Sequence, residues 1–157
     1  MAQNFKFNLG NLKIDQMGFV YKDIKKQAKI MEELYGVPKF GHMEDITHQE
    51  ATYRGKEVKI ILDFAISRLL NTQIELQQWK SGDCLYKEFI EQGKEGLHSI
   101  CVYVEDLDAY IDEFKKRGIG VLQTGQVGKF KFVYLDTEKT FGTLLEIGTT
   151  LKRRRKK

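Results

Sequence analysis

A chain of 157 residues, 41% hydrophobic and 11% aromatic, holds enough apolar material for one buried core, which excludes general disorder. No stretch approaches the ~18 uninterrupted apolar residues of a membrane-spanning helix. The opening residues lack the charged-then-apolar layout of a secretory leader, and Cys84 and Cys101 match no metal or redox spacing. A cytoplasmic protein with two reduced thiols and no membrane partner is therefore expected. The net charge of +4 comes from residues 152–157, whose six positive charges leave residues 1–151 at −2. That basic tail reads as a solvated terminus. Basic and aromatic residues do not interleave on the body as a base-stacking surface requires, so no nucleic-acid partner is expected.

Residues 14–22 alternate between apolar and other residues, with Met17, Phe19 and Tyr21 on one side and Gln16 and Gly18 on the other, which predicts a half-buried strand. Asp23 is a good N-cap, Ile24, Ala28 and Met31 fall at helical spacing, and Gly36 with Pro38 ends that helix. Strands are predicted over about residues 39–46, 56–66 and 70–80. Ser81-Gly82-Asp83 reads as a turn and cap before a short helix through Leu85, Phe89 and Ile90 that ends near Gly93. From Leu97 the pattern begins again. Ile100, Val102 and Val104 alternate, and Asp106 caps a helix striped by Leu107, Tyr110, Ile111 and Phe114 and stopped at Gly118. Strands follow over about residues 119–124, 129–136 and 141–149.

The recurrence extends to individual residues. Ile14 to Ile24 returns as Leu97 to Leu107, and Thr72-Gln73-Ile74-Glu75-Leu76 returns as Thr143-Leu144-Leu145-Glu146-Ile147. Gly55-Lys56 with Leu62-Asp63 echoes Gly128-Lys129 with Leu135-Asp136, and two extra residues before Glu75 predict a longer hairpin in the first copy. No Pro- or Ser-rich linker separates the copies. One domain over residues 1–151 is expected, with one module over about 12–80, a connecting helix over about 83–93 and a second module over about 97–149. Two halves related by an approximate two-fold axis would bring Glu75 and Glu146 together.

The order strand-helix-strand-strand-strand, written twice with a late glutamate in each copy, resembles the vicinal oxygen chelate superfamily. That group includes glyoxalase I, methylmalonyl-CoA epimerase, extradiol dioxygenases and bleomycin-resistance proteins. Within it, Gly93-Lys94-Glu95-Gly96-Leu97-His98-Ser99-Ile100 is most similar to the epimerase and glyoxalase branch. The resemblance covers about residues 12–149. It implies an α+β fold in which two tandem modules form a curved mixed sheet around a cavity, commonly as a homodimer.

The resemblance also implies a divalent metal held by one residue from each of four strands, at positions that fall on Gln16, Glu75, Ser99 and Glu146. The histidines usual on the two first strands are absent. The remaining oxygen-rich set suits Mg²⁺, Mn²⁺ or Ca²⁺ best, with Co²⁺, Ni²⁺ and Zn²⁺ as further candidates. His98 sits beside the ligand position and is expected on the opposite face unless a bulge re-aims it as a substitute ligand. His42 and His48 read as surface or minor core residues.

Without a metal, two carboxylates forced together cannot both stay ionised cheaply, so one becomes a usable general acid or base. Glu146 and Glu75 are the catalytic candidates, with Gln16 and Ser99 as hydrogen-bond donors to a developing enolate. Gln73, Gln77, Tyr103 and Trp79 share the faces of these residues, while Lys129 and Lys131 are candidates to meet an anionic substrate group. The implied activity is proton transfer beside a carbonyl, as in methylmalonyl-CoA epimerase or lactoylglutathione lyase, on a CoA thioester or small 2-oxo compound. The alternative is a non-catalytic small-molecule binder similar to the bleomycin-resistance proteins.

Overall fold

The structure, a computed structural model, describes residues 5–149; the basic tail at 152–157 lies outside the described residues. Each module opens with a strand that feeds an antiparallel-capable ladder and a helix that covers its outer face. The first contains β1 (Gln16–Val20), α1 (Ile24–Tyr35), β2 (Gly41–Thr47), β3 (Gln49–Tyr53), β4 (Lys56–Glu57), β5 (Ile61–Leu69) and β6 (Thr72–Ser81). A connecting helix, α2 (Leu85–Glu91), leads to β7 (Gly96–Val104), α3 (Leu107–Lys116), β8 (Val121–Val127), β9 (Phe130–Leu135), α4 (Glu138–Phe141) and β10 (Leu144–Thr149).

The long helices begin and end for local reasons. Asp23 accepts from the Lys26 N–H at 3.1 Å, and Gly36 closes α1 at φ 66°, a left-handed conformation that suits glycine. Asp106 repeats the cap on Ala109 at 3.0 Å. The short helix differs from expectation: its N-cap is Cys84, whose Sγ accepts from Lys87 N at 3.5 Å, while Asp83 instead pairs with the Lys87 ammonium.

All strands join one ten-stranded mixed sheet in the order β2-β5-β6-β1-β7-β10-β9-β8-β3-β4. The modules meet where β1 runs antiparallel to β7, and each first strand also pairs in parallel with its own last strand. The sheet curls into a half-barrel around a cavity. Its outer faces are covered by α1 over Ala65, Ile74 and Leu76, and by α3 over Val133, Leu135 and Ile147. Its inner face packs on α2 through Leu85 and Tyr86.

Two expectations fail here. The predicted segment 56–66 is two strands, and β3 is an additional one. It pairs with β8 of the other module, so residues 41–53 lie along both ends of the sheet. Long-range pairing of this kind leaves no local periodicity to read. The hairpin before Glu75 has the longer arms expected, nine residues in β5 and ten in β6 against six in each of β9 and β10, and it turns tightly through Leu70 and Asn71, both at positive φ (49° and 63°). The echo of Leu62-Asp63 in Leu135-Asp136 is not a structural equivalence, because Glu75 faces Ile66 whereas Glu146 faces Tyr134.

Candidate functional site

Strand register sets out the site in rows across the inner face. One row runs Gln73, Gln16, Cys101, Glu146 and Tyr134 across β6, β1, β7, β10 and β9. The adjacent row runs Ile66, Glu75, Gly18 and Ser99. Side chains two apart on a strand share a face, so the duplicated glutamates both reach the interior. A cavity of about 440 Å³ forms there, with Gln16, Glu75 and Glu146 in its floor and Phe64, Phe130 and Phe132 among its walls. Gln73, Gln77 and Tyr103 line it as well, whereas Trp79, Lys129 and Lys131 do not. The Trp79 indole packs on the inner core and donates to Gly82 O at 2.8 Å.

The two carboxylates have unlike partners. Glu75 accepts amide N–H bonds at both oxygens, from Gln16 at 2.9 Å and from Gln77 at 3.0 Å. Burial raises its pKa, and those two amides oppose the rise. Glu146 is 5% exposed. Burial pushes its pKa up to about 8, helped by the charge of Glu75 and opposed by the Cys101 thiol and Tyr134 hydroxyl beside it. Glu75 is therefore the member that ionises first, and Glu146 is the one that keeps its proton near neutrality. Behind them, the hydroxyls of Tyr134 and Tyr86 meet at 3.0 Å, and burial holds both phenols well above the ordinary range.

Ser99 does not line this cavity. It is fully buried with its Oγ unpartnered, and it occupies the space beside Gly18 where a side chain would be: a Cβ there would lie 2.4 Å from that oxygen. His98 departs from the expected opposite face. The β1–β7 pairing slips between Gly18 and Phe19, so Ser99 faces Gly18, Leu97 faces Phe19, and His98 is the extra residue of a bulge. Its ring turns into the inner core against Phe89, Tyr86 and Tyr134, with centroids 5.1, 5.5 and 5.7 Å away. Burial lowers its pKa to about 3, and Nδ1 has no partner.

This donor set does not fit the four-strand metal centre that the resemblance implies. Among the described residues, no three His, Cys, Asp or Glu side chains converge as ligands. Of the four implied positions, Ser99 is sealed away, and Gln16 turns its amide nitrogen, a donor and no ligand, towards Glu75. His98 is held among aromatic rings and lines a separate cavity beside α2.

Several wall residues escape the sequence reading. His48, read as a surface or minor core residue, is 5% exposed at the junction of β2 and β3. It lines the cavity and packs on Phe132 at 5.1 Å, and burial lowers its pKa to about 4. Nothing local in the sequence marks it, since its position depends on the pairing of β3 with β8. Phe130, Phe132 and Tyr134 did carry a signal, an aromatic at every second position of a predicted strand. His42 is exposed, as expected.

Comparison with known proteins follows this geometry. Residues 15–134 match the family profile described as Glyoxalase/Bleomycin resistance protein/Dioxygenase superfamily. No curated protein matches the sequence directly. Among solved structures, a hypothetical protein from Bacillus halodurans C-125 is similar at a TM-score of 0.71 and 20% identity, covering 93% of this chain and 99% of its own. Methylmalonyl-CoA epimerase from Mycobacterium tuberculosis is similar at 0.63 and 14% identity, covering 94% of each chain. A variant of the Streptomyces coelicolor epimerase in complex with 2-nitronate-propionyl-CoA gives 0.61 and 18% identity, covering 92% of this chain and 99% of its own. At these identities the likeness is one of fold. With the profile covering most of its length, the chain belongs to the glyoxalase/bleomycin resistance protein/dioxygenase superfamily, the vicinal oxygen chelate group.

Proposed function

We propose that the protein is an enzyme that moves a proton on the carbon next to a carbonyl, in the manner of an epimerase or isomerase, without a metal. The observation that carries this reading is the carboxylate pair on the cavity floor, whose members are biased towards opposite protonation states. Glu75, ionised and oriented by Gln16 and Gln77, acts as general base on the α-proton. Glu146, still protonated near neutrality, donates a hydrogen bond to the carbonyl oxygen as enolate character develops. Return of the proton by Glu75 exchanges it with solvent, and delivery of a proton to the opposite face by water gives the epimer. Structural neighbours solved with CoA thioesters support an acyl thioester as one substrate class; a small 2-oxo compound needs the same two groups. The homodimer expected from the resemblance belongs to this reading and is tested by light scattering.

The deciding experiment is deuterium exchange, followed by NMR, into the α-position of 2-oxo compounds and acyl thioesters in D₂O. Glu75→Gln and Glu146→Gln are each expected to slow exchange by about 100-fold or more. Exchange that is absent throughout, or indifferent to both substitutions, removes the reading. One observation favours a second reading, a binder without turnover: both oxygens of Glu75 already accept amide bonds, which weakens it as a base. Ligand binding without any exchange would select that alternative.

A further inference from the structure

The cavity carries an imbalance of charge. Its floor holds two carboxyl groups, yet among the described residues none that line it is Lys or Arg. Gln16 and Gln77 each donate an amide N–H to Glu75, and the Tyr103 hydroxyl donates to Gln73 Oε1 at 3.1 Å. Around this floor, Phe130 lies edge-on to Tyr103 at 5.4 Å and stacks beside Phe132 at 5.8 Å, presenting ring surface to the interior.

We propose that the ligand of this cavity is a small organic cation, a primary ammonium compound whose N–H groups meet Glu75 while its carbon frame lies on the aromatic wall. A buried carboxylate with no protein cation nearby is costly unless something else neutralises it. A primary ammonium brings one positive charge, with N–H donors to meet the carboxylate. Aromatic faces add to the attraction for a cation. An anionic group in the same place would meet like charge, so a dicarboxylate acyl group is disfavoured. The inference rests on the reading of this cavity as the substrate site and adds to it that the reacting carbonyl compound carries an amino group.

Titration calorimetry of the full chain at pH 7 with benzylammonium, benzyl alcohol and benzoate tests it, since these probes share one size and differ in charge. Benzylammonium is expected to bind about tenfold or more tightly than the alcohol, with benzoate weakest. Glu75→Gln is expected to remove the preference for the ammonium over the alcohol. Equal binding of alcohol and ammonium, tightest binding of benzoate, or no binding of benzylammonium overturns the proposal. Parallel deuterium exchange into 2-oxo compounds with and without an amino group separates the two claims. Exchange without cation preference leaves proton transfer standing and removes this inference; cation preference without exchange into either compound does the reverse.

Discussion

Glu75 and Glu146 are one residue type in two surroundings, and the difference has a measurable sign. The folded pKa of Glu146, about 8 against an ordinary 4.5, means that the folded state holds a proton the unfolded chain has already released. Stability is therefore lost as pH rises towards 8 and levels off above it. Between pH 6.5 and 8 the loss is expected to be roughly 2 kcal/mol, and denaturant titrations of Glu146→Gln should show that slope flattened. His98 has the opposite sign. With its folded pKa lowered to about 3 from 6.5, the unfolded chain binds the extra proton, so stability falls as pH drops below 6.5. His98→Phe, which keeps a ring among Tyr86, Phe89 and Tyr134, should lessen that acid sensitivity by roughly 1 kcal/mol per pH unit; equal slopes in the two proteins would contradict the buried neutral imidazole. The glutamate pair was legible because duplication places equivalent residues on equivalent strands. The direction of His98 was not, because a bulge is a property of two strands in register and neither strand alone announces it.

At the scale of elements, the closest fit lies where β1 meets β7. Gly18 leaves room for Ser99, and a methyl group there would lie 2.4 Å from Oγ. Gly18→Ala is expected to destabilise the fold by about 1–3 kcal/mol. In that background, Ser99→Gly should restore most of the loss, because the clash is between these two side chains; chemical denaturation of both variants measures it. The helices were legible from their caps, since Asp23, Gly36 and Asp106 act within one turn. The longer hairpin preceding Glu75 was legible because extra residues between echoes have to lengthen an arm: β5 runs nine residues and β9 six. The additional strand β3 and the turn after it are anchored on α2: Tyr53 donates to Glu88, and Arg54 engages the same carboxylate at 3.0 and 3.1 Å.

For the whole molecule, the architecture followed from the repeat, but the closure of the sheet did not. Residues 41–53 pair first with β5 of their own module and then with β8 of the other, so neither module completes its ladder alone. Unfolding should accordingly be a single transition, with the fluorescence of Trp79 and far-UV circular dichroism giving coincident curves; separated midpoints would mean that the modules melt independently. The junction of the two copies has one more consequence. Because β7 is antiparallel to β1 and parallel to β10, the start of β1 and the end of β10 emerge on the same side, two strands apart, or roughly 10 Å. A short bridge there, with a new opening between α2 and β7, would present the copies in reverse order along the gene while leaving every ladder intact. Which copy is translated first is thus a matter of ancestry, and the cavity between them is indifferent to it.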